Sequence, residues 1–303
     1  MIRLDPLAAE KINTGIFISG PGRTGTTMFG NIVHSMQHVE YSYEPSMMFS
    51  HIPMIERLAQ EDWMLLFETY LFEDFLVNAI AGRRLNLNAH DDASVYKAKS
   101  ESEIRERLGY SHRRSLDLDA IREAVLVFKM VDAVPYLRRI RDCYPGLRMV
   151  VLFRRVESII SSLMQKRWLA DDGLSGFSAM WPYHECGDLA VPFWVLPEDI
   201  QRFATMGELE RCCYYFIRMY GALPDDPSLL VVDYDTFKQH PRAQFEHIAA
   251  ALGLRKGAMT DSLLEGVREP SRNRDVDFSS LPAGMRSEID RLSEAVKVRA
   301  VQA

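Results

Sequence analysis

Short apolar runs alternate with longer segments of helical spacing along the chain. The runs occupy residues 15–19, 125–129, 149–153 and 229–232. Runs that are apolar at every position are typical of parallel strands that helices bury on both faces. The pattern predicts an α/β fold of three layers, in which helices cover both faces of a central, mainly parallel sheet.

The segments between these runs place apolar residues at helical spacing. Val156, Ile159, Ile160 and Leu163 form one apolar stripe directly after the third run, as expected of an amphipathic helix. Further helices are predicted over residues 26–35, 53–81, 135–143, 198–220 and 241–252.

Residues 168–197 interrupt this periodicity. The segment contains three tryptophans at positions 168, 181 and 194, three prolines and several glycines. It is long for a connection in a compact domain, so we expect a lid or an acceptor-binding insertion within a single domain spanning residues 1–303. An irregular but static surface segment is the alternative interpretation.

Composition and charge exclude some functional classes. The chain has 303 residues, 47% of them hydrophobic, and a formal net charge of −6. An acidic balance argues against a general nucleic-acid binder, which needs excess Lys and Arg to displace counterions. No stretch approaches the roughly 18 apolar residues of a membrane span, and the N-terminus lacks the apolar core of a signal peptide.

The four cysteines also bear on location. Cys143, Cys186, Cys212 and Cys213 include no CxxC pair, and their spacing suits neither a zinc site nor a disulfide framework. A reducing compartment follows, so we expect a cytoplasmic protein. His34 and His38 have the spacing of two metal ligands on a helix but no nearby third ligand, and we expect no metal there.

A glycine-rich turn follows the first apolar run. Its sequence, Gly-Pro-Gly-Arg-Thr-Gly-Thr-Thr at residues 20–27, leads directly into a predicted helix. The backbone N–H groups of such a turn, with the positive end of the helix dipole, favour a bound phosphate or sulfate. The glycine spacing is that of a Walker A loop, but Thr26 stands where that loop carries its lysine, and Arg23 is the nearest cation. A turn that only packs a helix on the sheet is the alternative.

The sequence Arg23-Thr24-Gly25-Thr26-Thr27 resembles the Lys/Arg-Ser/Thr-Gly-Thr-Thr loop of sulfotransferases that use PAPS, 3′-phosphoadenosine 5′-phosphosulfate. The resemblance implies that the loop grips the 5′-phosphosulfate, with Arg23 on the oxygen that bridges sulfur and phosphorus. It also implies a fold similar to that of P-loop nucleoside triphosphate hydrolases, and PAP, the desulfated nucleotide, as product. No metal is required, because cationic side chains and backbone donors can neutralise the transferring group.

A second anion-binding pair follows the third apolar run. Arg154 ends that run, and Ser162 lies on the polar stripe of the following helix, so both can converge on one phosphate. The segment resembles the sulfotransferase motif for the 3′-phosphate, in which a serine follows an arginine by eight positions. It departs from that motif at Arg155 and Val156, where the family usually has Asp-Pro or Asn-Pro. A solvated arginine pair is the alternative.

Two more arginines are candidates for the same phosphate. Arg272 and Arg274 lie in a basic turn near the C-terminus, where sulfotransferases often close a loop over the nucleotide. An ordinary solvated cluster of charges is the other interpretation.

Sulfuryl transfer needs a base and a cation beside the transferring group, by analogy with phosphoryl transfer. Glu44 is the leading candidate for the base: it ends a short strand-like run, and its Tyr-Glu-Pro context resembles a glutamate motif of glycan sulfotransferases. Asp132 is the second candidate, just beyond the run at 125–129. Lys129 ends that run and matches the family's lysine. A lysine there is costly to bury unless paired, which favours a role in the site.

The predicted function is therefore transfer of a sulfuryl group from PAPS to a hydroxyl or amine, on a carbohydrate or a small metabolite. The Tyr-Glu-Pro motif favours a glycan acceptor, whereas an aromatic lid fits a small hydrophobic one. Two alternatives stay open. An atypical P-loop kinase would use ATP and Mg²⁺ with a lysine from elsewhere, and a non-catalytic nucleotide-binding protein would bind the donor without turnover. The sequence does not predict the oligomeric state.

Overall fold

The central sheet consists of five parallel strands. The computed structural model describes residues 2–109, 118–175, 182–267 and 275–300. The strands of this sheet are β1 Ile16–Ser19, β2 Val39–Tyr43, β3 Val125–Lys129, β4 Arg148–Phe153 and β7 Leu230–Asp233, and they lie side by side in the order β2-β3-β1-β4-β7. All of its strand pairs are parallel. The four predicted runs are therefore confirmed as strands.

Successive side chains of β1, β3, β4 and β7 enter two separate cores. Ile16 and Ile18 of β1 belong to one buried apolar cluster, whereas Phe17 belongs to the other. In β4, Met149 and Val150 divide in the same way. Because neighbouring residues of a strand point to opposite faces, a sheet that is apolar at every position must be covered on both sides. The predicted three-layer α/β/α class is confirmed.

The helices divide between these two faces. The first nine are α1 Pro6–Asn13, α2 Thr26–His34, α3 Ser46–His51, α4 Gln60–Glu68, α5 Val77–Ile80, α6 Val95–Ala98, α7 Glu101–Leu108, α8 Leu118–Glu123 and α9 Leu137–Cys143. They are followed by α10 Val156–Lys166, α11 Asp171–Ser175, α12 Ile200–Thr205, α13 Glu208–Gly221, α14 Tyr234–Gln239, α15 Pro241–Ala251, α16 Thr260–Glu265 and α17 Ala283–Arg299. Helices α2, α14, α15 and α16 cover one face, and α1, α4, α9, α10, α13 and α17 cover the other.

The segment predicted as one helix over residues 53–81 is divided into four pieces. A 3₁₀ turn at Pro53–Glu56 precedes α4, and a π-helix at Thr69–Leu76 connects α4 to α5. The prediction of a single regular helix was wrong, since a π-helix keeps apolar residues near helical spacing while it widens each turn. Segments of this kind often mark functional sites.

The predicted insertion at residues 168–197 includes regular structure in its described part. A two-stranded antiparallel hairpin joins β5 Tyr183–Cys186 to β6 Leu189–Pro192. Gly187 takes a φ of 59° in its two-residue turn, a conformation that suits the twist of a tight hairpin. Whether this segment acts as a lid stays a prediction.

Candidate functional site

The candidate site lies at one edge of the sheet. Parallel strands end on the same side, so the residues that follow β1, β2, β3 and β4 are neighbours there. The glycine-rich loop follows β1, Glu44 follows β2, Lys129 ends β3 and Arg154 follows β4. The sheet order therefore brings together predicted residues that are far apart in the sequence, such as Arg23 and Arg154, which are in contact although 131 positions separate them.

The loop at residues 20–27 is a tight cradle. Gly25 has a φ of 86° and directly precedes the first residue of α2, Thr26. A Cβ atom at position 25 would lie 2.0 Å from the Tyr234 ring, so only glycine fits. Arg23 also has a left-handed backbone, with a φ of 73°, and such strain in a non-glycine residue is typical of functional sites. The backbone N–H groups at the start of α2 could hold an anion.

Arg23, Ser162 and Arg154 form one connected group beside this loop. Arg23 Nε donates to Ser162 Oγ at 2.9 Å, and Arg154 Nη1 donates to the Arg23 carbonyl oxygen at 3.1 Å. Arg154 also approaches Asp235, with 3.6 Å between Nε and Oδ1, and lies over the Tyr234 ring. The two cations that the sequence assigns to different phosphates thus converge on one end of the cradle.

The three threonines of the loop occupy different environments. Thr24 is fully buried, and its hydroxyl donates to the Pro21 carbonyl oxygen at 2.7 Å inside the loop. Thr26 is buried at the first turn of α2. Thr27 Oγ1 lies 3.3 Å from Lys129 Nζ and 3.3 Å from the Tyr43 hydroxyl. Thr27 is therefore the residue that connects the cradle to the other end of the site.

Lys129 and Glu44 form an ion pair at that end. The Lys129 side chain is fully buried and the Glu44 side chain is 20% exposed. Lys129 Nζ donates to Glu44 Oε1 and lies 4.5 Å from the centre of the Tyr43 ring. Burial lowers the pKa of Lys129, and the Glu44 carboxylate opposes that shift. The buried lysine is thus paired, and its partner is the residue that the sequence makes the leading candidate for the base.

Asp132 is directed at the loop. Its Oδ1 accepts hydrogen bonds from the Gly22 N–H at 3.3 Å and from the Tyr215 hydroxyl. Burial raises the pKa of Asp132 to about 6, against the lowering effect of these two bonds. Its backbone is left-handed, with a φ of 63°. The arrangement suits a carboxyl group that holds the loop backbone in place.

Several residues of the site escaped sequence reasoning. Tyr234 and Asp235, which contact Gly25 and Arg154, follow β7 and could have been found because this strand ends at the same edge. Tyr215 gave no signal, since it lies among apolar and aromatic residues on the buried face of α13. Arg272 and Arg274 lie outside the described residues.

A cavity of about 700 Å³ adjoins Glu44. Its wall comes from residues 40–47, from the region of the π-helix and from the connection before α6. Aromatic and apolar side chains make up much of it, namely Tyr41, Tyr43, Met47, Leu66, Tyr70, Phe75 and Leu85. Within its described part, the insertion at 168–197 contributes no lining residue. It contacts the site elsewhere, through the Trp168 ring, which lies 5.4 Å from the Arg23 guanidinium carbon.

Residues 2–109, 118–175, 182–267 and 275–300 contain no group of three or more His, Cys, Asp or Glu side chains placed to hold a metal ion. Their helices include none with both the length and the apolar composition that a bilayer span requires.

Comparisons with known proteins identify a family. Residues 15–257 match the model described as "Sulfotransferase family". Among solved structures, the sulfotransferase domain from the curacin biosynthetic pathway is similar at 12% identity and a TM-score of 0.47, covering 98% of this chain and 99% of that one. The sulfotransferase domain of the Synechococcus PCC 7002 olefin synthase is similar at 12% identity and a TM-score of 0.44, covering 93% and 94%. No curated protein matches.

Proposed function

Since the chain belongs to the sulfotransferase family, whose model matches residues 15–257, we propose that it transfers a sulfuryl group from PAPS to a hydroxyl or amine of a carbohydrate or small-metabolite acceptor. The observation that carries the proposal is the continuity of the site. Arg23 and Arg154 lie at one end of the cradle, and Thr27 connects its other end to the Lys129–Glu44 pair beside the cavity.

The residues of the cradle suit the donor. The N–H groups at the start of α2 would bind the phosphosulfate, and Gly25 allows the close approach of Tyr234. Arg154 and Ser162 would hold the 3′-phosphate through charge-assisted hydrogen bonds. Arg154 Nε is buried and makes no hydrogen bond to a described residue. Ser158 Oγ, one helical turn before Ser162, is likewise buried without a hydrogen bond to a described residue. Unsatisfied donors of this kind favour an anionic ligand.

Glu44 is positioned to act as the general base. It borders the cavity, whereas Asp132 Oδ1 accepts from the loop N–H of Gly22. In the reaction the acceptor oxygen forms a bond to sulfur while the bond from sulfur to the phosphate oxygen breaks. The acceptor proton passes to Glu44, and PAP leaves as the phosphate product.

Lys129 and Arg23 would neutralise the charge on the transferring group. Lys129 Nζ lies within 3.3 Å of Thr27 Oγ1, and Arg23 is part of the cradle itself. Both cations are fixed before the acceptor arrives, so they stabilise developing charge with little reorganisation. In-line displacement needs this kind of positioning more than a metal.

Calorimetric titration of PAP and of ATP with Mg²⁺ tests the proposal. Arg154→Ala should weaken PAP binding by about 10- to 100-fold, because a charge-assisted hydrogen bond is lost. Arg155→Ala is the matched control: its side chain is 59% exposed, and we expect PAP affinity within about threefold of the wild type.

The outcome also separates the alternatives. Tighter binding of ATP with Mg²⁺ than of PAP would favour the kinase and contradict a sulfotransferase. PAP binding without PAP formation from PAPS, over a broad panel of hydroxyl and amine acceptors, would favour a non-catalytic nucleotide-binding protein.

A further inference from the structure

The cavity beside Glu44 has a distinctive charge pattern. Four carboxylates line it, Glu40, Glu44, Asp74 and Asp91, and Arg84 is the one cationic side chain among its described lining residues. Glu40, Glu44 and Asp74 are each paired with a cation. The pairs differ in whether that cation lines the cavity or lies behind its wall.

Two of the pairs take their cation from behind the wall. Glu40 Oε1 accepts from Arg107 Nε at 2.9 Å, and Glu44 pairs with Lys129. Neither Arg107 nor Lys129 is a lining residue. Both cations are committed to carboxylates before any acceptor enters.

The third pair occupies Arg84, the single cation among the described lining residues. Arg84 Nη2 donates to Asp74 Oδ2, and both residues line the cavity. Asp91 forms no ion pair with a described residue, and its Oδ1 accepts from the Ala93 N–H at 2.8 Å. Among the described residues, the wall therefore keeps a negative balance after pairing.

The histidine of the wall adds no charge at neutral pH. Burial, reinforced by the nearby Lys99 and Arg107, lowers the pKa of His34 to about 3. A neutral imidazole cannot compensate a carboxylate or sulfate on an acceptor.

The apolar part of the wall indicates what the cavity does accept. Tyr43, Tyr70 and Phe75 give it aromatic faces, and Met47 and Leu66 are 45% and 44% exposed. Exposed apolar side chains at a cavity typically mark a contact with an apolar ligand. A volume of about 700 Å³ is in the range of pockets for small molecules.

We infer that the acceptor of this enzyme is a small molecule without negative charge, whose hydroxyl is carried by an aromatic or apolar body, and not an anionic glycan. The inference rests on the proposed function and specifies its substrate class. Anionic acceptors would meet carboxylates, and no described residue of the wall offers a free cation to offset them, which is an effective form of discrimination. Transfer also turns a neutral acceptor into an anion in an acidic cavity, which favours release of the product.

Three phenols of similar size test the inference: 4-ethylphenol, tyramine and 4-hydroxyphenylacetate, which end in a methyl, an ammonium and a carboxylate group. Their dissociation constants are measured on the PAP-saturated protein by ligand-observed NMR. We expect 4-hydroxyphenylacetate to bind about 10- to 30-fold more weakly than 4-ethylphenol, because like charges repel in the cavity. Tyramine should bind more tightly than 4-hydroxyphenylacetate, since a cost of desolvation alone would weaken both charged probes equally.

Two variants locate the effect in the cavity. Asp74→Asn leaves Arg84 without its partner, so the ratio of the 4-hydroxyphenylacetate and 4-ethylphenol dissociation constants should fall about 5- to 10-fold. Asp92→Asn removes the same charge from an exposed side chain next to Asp91 in the sequence and outside the lining, and should lower that ratio much less than Asp74→Asn does. Equal responses in both variants would mean that overall charge, not the cavity, sets the preference.

Other outcomes overturn the inference. If PAP binding is retained, tighter binding of 4-hydroxyphenylacetate than of 4-ethylphenol would contradict it. Tight binding of a glycan, together with no binding of 4-ethylphenol at millimolar concentration, would contradict it as well. A protein that fails to bind PAP at all would instead remove the proposed function on which the inference rests.

Discussion

The two ends of the site are built in different ways. At the donor end, the loop between β1 and α2 supplies backbone N–H groups, and Arg154 and Ser162 are eight residues apart on one strand–helix unit. At the acceptor end, Glu44 meets a cavity whose wall comes from several segments between residues 34 and 95. A chemically fixed ligand can be bound by a short local motif, whereas a variable one requires a surface assembled by tertiary packing. The variants below test that division.

Loss of Glu44 should have the largest effect and should be confined to the acceptor end. Glu44→Gln removes the proposed base, and we expect kcat to fall by about 10²- to 10⁴-fold. PAP affinity should stay within about threefold of the wild type, since Glu44 makes no contact with the cradle arginines. Steady-state kinetics gives kcat, and calorimetry on the same preparation gives the affinity for PAP.

Glu56→Gln is the control for this variant. Glu56 is an exposed carboxylate at the end of the 3₁₀ turn, and its neutralisation should leave kcat near the wild-type value. A loss of PAP binding in Glu44→Gln that matches the loss of kcat would show that the two ends are not separable.

Replacing Asp132 should have an effect of intermediate size, on the pH dependence of the free energy of unfolding. Its folded pKa of about 6 lies above the ordinary 3.8, so the fold favours the protonated carboxyl. The stability that this preference supplies is complete below about pH 3.8 and is lost as pH rises through about 6. Relative to Asp132→Asn, the wild type should therefore lose up to roughly 3 kcal/mol over that range, as measured by urea unfolding at a series of pH values.

The same variant decides between the two carboxylates. If Asp132 holds the loop and Glu44 is the base, Asp132→Asn should keep kcat within about tenfold, because an amide oxygen can still accept from the Gly22 N–H. A kcat as low as that of Glu44→Gln would instead identify Asp132 as the base. If the unfolding free energies of the wild type and of Asp132→Asn change with pH in parallel, the pKa of Asp132 is not raised.

Trp168 should give the smallest effect, at the donor end. The Arg23 guanidinium lies over its ring, and a cation–π contact at an exposed site contributes about 0.5–1 kcal/mol. Trp168→Leu should therefore weaken PAP binding about two- to fivefold by calorimetry. Trp168→Phe keeps an aromatic face, so its PAP affinity should fall less than that of Trp168→Leu. An equal loss of PAP affinity in both variants would argue against the ring contact.

The division also explains which parts were predictable. The cradle and the Arg154–Ser162 pair lie within single strand–helix units, so residue order alone places them. The sequence pattern that predicts a strand is weaker for β2, because β2 is an edge strand in which Glu40 and Ser42 interrupt the apolar residues. The ion pair of Lys129 could be expected from the cost of burying a lysine, but its pairing with Glu44 depended on β2 lying next to β3.

The acceptor end could not be predicted because no local pattern encodes it. The cavity depends on a π-helix that apolar spacing does not distinguish from an α-helix, and on side chains such as Tyr70 and Asp91 that are close only after folding. Sequence reasoning predicted a lid or an acceptor-binding insertion at residues 168–197 because that segment is long for a connection and lacks helical spacing. In its described part, Trp168 contacts Arg23 at the donor end.

The π-helical segment Thr69–Leu76 has an evolutionary consequence. A wide turn of this kind holds one residue more than an α-helical turn, so deleting a single residue there would restore the ordinary ladder of hydrogen bonds. Side chains on one side of the deletion would then turn by about 100° around the helix axis relative to those on the other. A family whose members share a donor but differ in acceptor could thus exchange Tyr70, Asp74 and Phe75 for other faces in one mutational step, with the sheet and its cradle untouched.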